Sequence, residues 1–315
     1  MKKRAGAAVV IVFILLLFLG LRFFEISVFD FMILAINLIG GFEVSNCNTQ
    51  VKKYNFLYTV IYFVLSTYLG LTICFGYELQ IGYILLFLVA NFGISLLTMF
   101  LFRVMQKEQL ELEYETLKET QIEYKKFLKD KYLNTIKILL YPCLLFTSLY
   151  FLNNISRMSI DALKNQTADL GWFLITLIFS ISMSTDTFAY LVGRTLKGPK
   201  LAPKISPNKT ISGAIGGLVF GALATVALYL IFTLLPTFKS LFESINLNII
   251  HILMIGIEGS IANQIGDLYE SSAKRKLGIK DFGKIFPGHG GVMDRVDGLS
   301  FVSITILVLF IIAFI

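Results

Sequence analysis

Long apolar runs set the first limit on what this chain can fold into. A helix of about 20 apolar residues crosses the roughly 30 Å hydrocarbon core of a bilayer. Candidate runs lie near residues 5–24, 27–42, 55–76, 81–102, 136–152, 170–193, 211–235, 247–268 and 299–315, of which the second and the last are short. Because these runs lack the alternation of barrel strands, they predict an all-α, polytopic integral membrane protein with about nine transmembrane helices.

Composition and charge agree with a membrane protein and predict its orientation. Apolar residues make up 56% of the 315-residue chain, and the mean hydropathy is +0.75. If the spans alternate from a cytoplasmic N-terminus, Lys and Arg are cytoplasmic except at Arg22, Arg157, Lys164 and Lys239. The positive-inside rule therefore predicts a multi-pass protein of the cytoplasmic membrane. The first run resembles a signal peptide but lacks a small-residue cleavage site, so it is predicted to stay in the protein as a membrane anchor.

Polar residues divide the chain into three predicted parts. Residues 1–102 carry few side chains that a catalyst could use and are expected to form a scaffold of transmembrane helices. Residues 103–135 interleave Glu and Lys with loosely helical apolar positions, which predicts a charged cytoplasmic helical segment. Residues 136–315 are expected to form the catalytic transmembrane domain, because polar side chains concentrate in its two cytoplasmic segments, 194–212 and 267–298.

The end of the eighth apolar run carries an acid and bases on one helix face. Asn263, Asp267, Ser271 and Lys274 recur every three or four residues, and Arg275 follows directly. A carboxylate at the edge of the bilayer is costly unless it pairs with a cation or a metal ion. Two interpretations of Asp267 stay open: a functional acid, or an ion pair with Lys274 or another neighbouring Lys that merely ends the helix.

A glycine-rich loop with one histidine follows this helix. The loop contains Lys280 and the run Gly288-His289-Gly290-Gly291, whose glycines allow backbone N–H groups to approach a phosphate. Asp294 and Asp297 then offer oxygen ligands for Mg²⁺, and Arg295 between them offers a fork for phosphate oxygens. The combination predicts a phosphate-binding site with metal ions.

A second polar stripe ends the sixth apolar run. A spacing of four places Ser182, Asp186, Tyr190 and Arg194 on one side of a helix. The stripe therefore leads from an acid inside the span to a base at its cytoplasmic end.

The segment before the seventh apolar run is predicted to bind an anion. Ser206 and Pro207 suit the N-cap and first turn of the next helix. With Lys204, Lys209 and Thr210 nearby, this helix N-terminus would form a site of the kind that nucleotide phosphates occupy.

Two stretches resemble the CDP-diacylglycerol synthase, or phosphatidate cytidylyltransferase, family. Residues 271–297 meet every fixed position of its signature S-x-apolar-K-R, four residues, K-D, a small residue, then P-x-H-G-G-x-x-D-R-x-D. Ala273 is smaller than the apolar residue that is usual in the family. Residues 186–193 and 201–210 match its acid-Thr-x-Ala-Tyr-x-x-Gly run and its L-x-P-x-x-S-P-x-K-T element. Ser212 departs from the pattern, where a glutamate is common. The resemblance covers residues 136–298 well and the preceding residues hardly at all.

The resemblance implies an enzyme that transfers CMP from CTP to phosphatidic acid, giving CDP-diacylglycerol and pyrophosphate in phospholipid biosynthesis. As a hypothesis, Mg²⁺ ions between the phosphates are held by Asp267 and Asp294, with Asp297 or Asp186 as a further ligand. The catalytic residues expected are Asp267, Asp294, Lys274 and Arg275. The residues expected to bind CTP or the lipid head are Lys204, Ser206, Lys209, Thr210, Asn263, Ser271, Lys280, His289 and Arg295.

The expected cofactor is Mg²⁺, as two metal ions, with a monovalent cation as an open alternative. A homodimer is implied only by the resemblance, and no nucleic-acid partner is expected. Two other functions stay open. A CTP-dependent lipid kinase would use similar residues but release CDP, and a transporter would explain the intramembrane acids but leave the glycine-rich loop without a role. The D-G-x-x-A-R run of CDP-alcohol phosphotransferases is absent after Asp297.

Overall fold

A computed structural model describes residues 13, 16–22, 24–47, 93, 111, 115, 148–157, 167–276, 278–286 and 290–314. Most of these residues are helical. The predicted spans at 55–76 and 81–102 and the charged segment at 103–135 lie almost wholly outside the described residues.

Six helices make up most of the described structure. They are α1 Ile26–Cys47, α2 Leu170–Leu196, α3 Ile211–Thr233, α4 Pro236–Ser244, α5 Ile249–Lys276 and α6 Asp297–Phe314. Within the described ranges, α1, α2, α3 and α5 are long and apolar enough to cross a membrane, and α6 is a shorter apolar helix. These helices agree with an all-α membrane protein, whereas the total of nine spans stays a prediction.

A short antiparallel hairpin joins α2 to α3. Its strands are β1 Lys200–Ala202 and β2 Ser206–Thr210. The prediction that Ser206 and Pro207 cap and start the seventh span was wrong, because α3 begins one residue after Thr210. The hydroxyl of Thr210 caps the helix by accepting a hydrogen bond from the Gly213 N–H at 3.1 Å. Pro207 is compatible with an edge strand, because a residue without an N–H can sit there without removing a hydrogen bond between the strands.

Small residues let α3 pack closely against α2. A Cβ added at Gly217 would lie 2.8 Å from the carbonyl oxygen of Thr185 and 3.0 Å from the Cβ of Ala189. The Thr185 hydroxyl also donates a hydrogen bond to Ser260 of α5 at 3.1 Å. Close approach of backbones through small residues is a common basis of helix association in membranes. The contact fixes the relative positions of α2, α3 and α5.

We expect Gly217→Val to destabilise this helix contact. The added side chain would meet the α2 backbone, and overpacking of this kind costs about 1–3 kcal/mol. The midpoint of thermal unfolding in detergent should fall by roughly 2–10 °C. Ile215→Val on the exposed face of α3 is the matched control. Equal midpoints for the two variants would contradict the packing argument.

An aromatic core fixes the ends of α2, α3 and α4 that lie away from the hairpin. The Phe173 ring lies 5.2 Å from that of Phe232 and 4.8 Å from that of Phe242, and Phe232 meets Phe238 at 4.7 Å. Offset and edge-to-face pairs of this kind add to the free energy gained from apolar burial. The opposite ends of these helices are polar.

A buried polar network connects α1 to the residues before α2. Arg22 is buried, donates a hydrogen bond to Asp169 Oδ2 at 2.7 Å and also contacts the Asn153 side chain. The side-chain amides of Asn153 and Asn154 donate to Asp30 Oδ1 at 2.7 and 2.9 Å. A buried Arg requires such partners. The network therefore holds the N-terminal end of α1 against the start of α2.

Candidate active site

A cavity of about 850 Å³ opens where the polar ends of the helices meet. Its wall is formed by the last turns of α2, the hairpin, the start of α3, the second half of α5 and the residues before α6. The structure thus brings together the two segments in which the sequence concentrates polar side chains. The predicted site residues in the wall are Asp186, Lys209, Thr210, Asp267, Lys274, Asp294, Arg295 and Asp297.

Three carboxylates from three helices act on one another in this wall. Asp186 accepts a hydrogen bond from the side-chain amide of Asn263 at 2.7 Å, and Asp267 forms an ion pair with Lys209 of the hairpin. Asp297 lies at the start of α6, before its apolar stretch. Burial, followed by the charges of Asp267 and Asp186, raises the pKa of Asp297. Carboxylates that repel one another in this way favour the binding of cations.

Asp294 organises the signature loop, by which we mean the described residues 278–286 and 290–296. The residue is only 4% exposed. Oδ1 accepts a hydrogen bond from Lys274 Nζ at 2.8 Å, and Oδ2 accepts from the backbone N–H groups of Phe282 at 2.9 Å, Gly283 at 3.3 Å and Gly291 at 2.8 Å. One carboxylate therefore holds both sides of the loop. The metal-binding role of Asp294 stays a prediction beside this observed role.

Lys274 connects α5 to the signature loop. Its ammonium lies 2.8 Å from Glu270 Oε1 and 2.8 Å from Asp294 Oδ1, and 5.8 Å from the centre of the Phe282 ring. The structure therefore does not favour the simple pair between Lys274 and Asp267, which contacts Lys209 instead. The functional role of Asp267 stays a prediction.

Six other predicted residues lie outside the cavity wall. Lys204, Arg275 and Lys280 are exposed, and Ser206 belongs to the hairpin. Asn263 and Ser271 instead contact wall carboxylates, because Ser271 donates to Asp267 Oδ1 at 3.4 Å and Asn263 donates to Asp186. His289 lies outside the described residues. The proposed roles of all these residues stay predictions.

Sequence reasoning missed two buried glutamates. Glu270 is 1% exposed and pairs with Lys274 four residues later, a spacing that could have indicated it. Glu43 contacts the signature loop from a position 250 residues earlier in the chain, so no local pattern could have indicated it. The site predictions also left out seven polar residues of the cavity wall: Tyr190, Arg194, Lys197, Lys200, Asn208, Gln264 and Asp281.

The oxygen donors of the wall fit Mg²⁺ chemically. Among the described residues, no three His, Cys, Asp or Glu side chains lie close enough together to hold a metal ion by themselves. Mg²⁺ is usually bound by one or two carboxylates and completes its shell with water and substrate phosphates. Asp186 and Asp267 offer such carboxylates. Asn263 Oδ1 is buried with no hydrogen-bond partner among the described atoms, and it could accept a bond from a metal-bound water.

The fold and the cavity define an all-α membrane protein whose site combines carboxylates with Lys and Arg, a composition suited to phosphate-bearing ligands. The chain belongs to the cytidylyltransferase family, whose model matches residues 2–314.

Similar proteins carry the name phosphatidate cytidylyltransferase. One from Brucella abortus biovar 1 (strain 9-941) is 44% identical over 149 residues, which cover 47% of this chain and 50% of that protein. One from Staphylococcus haemolyticus (strain JCSC1435) is 44% identical over 132 residues, which cover 42% and 46%. The chain thus spans about half the length of the relatives it matches.

Proposed function

We propose that this protein is a phosphatidate cytidylyltransferase, which transfers CMP from CTP to phosphatidic acid and releases pyrophosphate during phospholipid synthesis. Membership of the cytidylyltransferase family and the names of its relatives support this reaction. The observation that carries the proposal is the cavity, in which Asp186, Asp267 and Asp297 share one wall with Lys209 and Lys274. Such a wall can bind two phosphate groups together with metal ions.

The reaction needs little help from a protein base. The phosphate monoester of phosphatidic acid has a second pKa of about 6, by analogy with other phosphate monoesters, so it is largely ionised at neutral pH. One of its oxygens attacks the α-phosphorus of CTP, the bond from that phosphorus to the oxygen that bridges to the β-phosphorus breaks, and pyrophosphate leaves. The obstacle is repulsion between two anions, so catalysis should rest on positioning and positive charge.

The basic residues of the cavity would bind these anions. Arg295 is exposed within the wall and presents parallel N–H donors to phosphate oxygens. Lys209 and Lys274 are held at fixed positions by carboxylates. We propose that Lys204, Arg275, Ser206, Thr210 and Lys280 assist at the edges of the site.

Four of the wall carboxylates, Asp186, Asp267, Asp294 and Asp297, are the candidate ligands for Mg²⁺. The metal ions, when bound, would supply positive charge to the phosphates of CTP and of the leaving pyrophosphate. The protein positions these ligands on α2, on α5, in the signature loop and at the first residue of α6. The number of ions, and a monovalent cation as an alternative, belong to the same proposal.

We further propose that the protein lies in the cytoplasmic membrane with about nine spans and with the cavity on the cytoplasmic side. The bias of Lys and Arg supports this orientation, because the basic wall residues then face the side from which CTP arrives. The division into residues 1–102, 103–135 and 136–315 and the homodimer stay part of the proposal.

Two labelled forms of CTP test the reaction. Membranes that contain the protein, given phosphatidic acid and CTP labelled at its α-phosphate, should form lipid-extractable label and release pyrophosphate. CTP labelled at its γ-phosphate should label pyrophosphate and leave the lipid unlabelled. Label transferred from the γ-phosphate to lipid, with release of CDP, would instead identify a CTP-dependent lipid kinase and refute the proposal.

A further inference from the structure

Glu43, near the end of α1, contacts the backbone of the signature loop. The residue is 4% exposed, and its Oε2 accepts a hydrogen bond from the Met293 N–H at 3.1 Å. A Cβ added at Gly283 or at Gly291 would overlap the Glu43 carboxylate. The two glycines therefore leave the space that this carboxylate occupies.

The same part of the loop also binds Asp294. The N–H groups of Gly283 and Gly291 donate to Asp294 Oδ2 at 3.3 and 2.8 Å, and Met293, which donates to Glu43, is the residue before Asp294. The carboxylates of Glu43 and Asp294 thus both accept hydrogen bonds from the backbone of the signature loop. Of these two, Asp294 lies in the cavity wall and Glu43 does not.

Apolar packing holds the loop against the same helix. Val44, Phe282 and Met293 form a separate buried cluster. A Cβ added at Gly40, one turn before Val44, would lie 2.6 Å from Met293 Sδ, so the helix surface at Gly40 is shaped around that side chain. The contact between α1 and the loop therefore has both apolar and polar parts.

The other end of α1 is held in place by the buried network around Asp30. Asp30 and Glu43 are separated by about 20 Å along a helix that rises 1.5 Å per residue. Because α1 is tied at Asp30 to the residues before α2, the Glu43 carboxylate has a defined position relative to the catalytic helices. The helix α1 therefore does more than the scaffold role that the sequence predicts for residues 1–102.

We propose that Glu43 is a positioning residue for the reaction proposed above. Its carboxylate fixes the loop backbone at Met293, so that Asp294 and Arg295 face the cavity. It acts through the loop and does not touch the reacting phosphates. This inference rests on the proposed function for its kinetic test but has a second test that needs no substrate.

Kinetics of two Glu43 variants separate positioning from general packing. Glu43→Ala removes the acceptor for the Met293 N–H, and loss of a buried hydrogen bond should lower kcat about tenfold or more with little change in KM for CTP. Glu43→Gln keeps an oxygen acceptor and should stay within about threefold of the wild-type kcat. Leu38→Ala, on an exposed part of α1, is the control. A wild-type kcat for Glu43→Ala would overturn the proposal.

A double-mutant cycle tests the contact between Glu43 and Gly291 directly. In the wild-type background, Gly291→Ala forces a Cβ into the Glu43 carboxylate and should lower kcat about tenfold or more. In the Glu43→Ala background the space is free, so Gly291→Ala should lower kcat by a clearly smaller factor. Strictly additive losses would show that the two residues do not interact and would overturn the proposal.

Amide hydrogen exchange supplies the test that needs no substrate. Peptides that cover residues 290–296 should exchange faster in Glu43→Ala than in the wild-type protein and at nearly the wild-type rate in Glu43→Gln. If the wild-type protein forms no labelled lipid but the exchange changes as expected, the proposed function fails and the positioning of the loop stands. Unchanged exchange in Glu43→Ala overturns the positioning role, even in an active enzyme.

Discussion

Membranes that contain Asp267→Asn should form CDP-diacylglycerol roughly a hundredfold to a thousandfold more slowly than wild-type membranes. Asp267 shares the cavity wall with Asp186 and Asp297 and pairs with Lys209. Asn has nearly the same shape but no negative charge, so it weakens both the binding of cations and the placement of Lys209. Initial rates of lipid labelling from CTP labelled at its α-phosphate measure the effect.

Glu243→Gln is a suitable control for this variant. It removes one carboxylate charge from an exposed position on α4, away from the cavity, and should leave the rate unchanged. Immunoblots of washed membranes should show equal amounts of both variants, because neither change affects an apolar span surface. Turnover by Asp267→Asn at the wild-type rate would refute the role assigned to Asp267.

The helices near the cavity could be predicted because each of them appears in the sequence as a continuous apolar run. The apolar runs at 170–193, 211–235 and 247–268 correspond to α2, α3 and α5, with starts that agree within two residues. The polar C-terminal ends of α2 and α5 extend beyond the predicted spans, because a helix can continue after its apolar stretch leaves the bilayer. Hydropathy measures the apolar stretch and not the hydrogen-bonded helix.

The hairpin could not be predicted in the same way. Ser206 and Pro207 have the chemistry of a helix start, but that chemistry also suits an edge strand. The choice was decided by pairing with β1 and by Thr210, which caps α3 at the position where the chain must turn. Local preference was therefore overruled by contacts that a single segment does not contain.

The contacts inside the signature loop were the least predictable part of the site. The pattern of acids and glycines indicated a phosphate site but did not indicate that Asp294 accepts hydrogen bonds from three backbone N–H groups. Those bonds depend on the path of the loop in three dimensions. Sequence therefore indicated which residues lie in the cavity wall more reliably than what each of them contacts.

The role of Asp294 leads to a second large expected effect. Asp294→Asn should lower activity to about 1% of the wild-type rate or less, and it should also loosen the signature loop. An Asn side chain has one oxygen and one NH₂ group. Its NH₂ group must face either the Lys274 ammonium or the backbone N–H groups now bound by Oδ2, so one set of buried donors loses its acceptor. Each such loss costs about 1–3 kcal/mol.

Hydrogen exchange distinguishes this effect from that of Asp267→Asn. In Asp294→Asn, peptides that cover residues 278–286 and 290–296 should exchange faster, because either the N–H groups of Phe282 and Gly291 lose their acceptor or the loop loses its bond to Lys274 on α5. In Asp267→Asn the same peptides should keep the wild-type rate, since Asp267 makes no described hydrogen bond to the loop backbone. Wild-type exchange in Asp294→Asn would contradict the loop-organising role, and a residual loss of activity would then have to come from the metal or phosphate site alone.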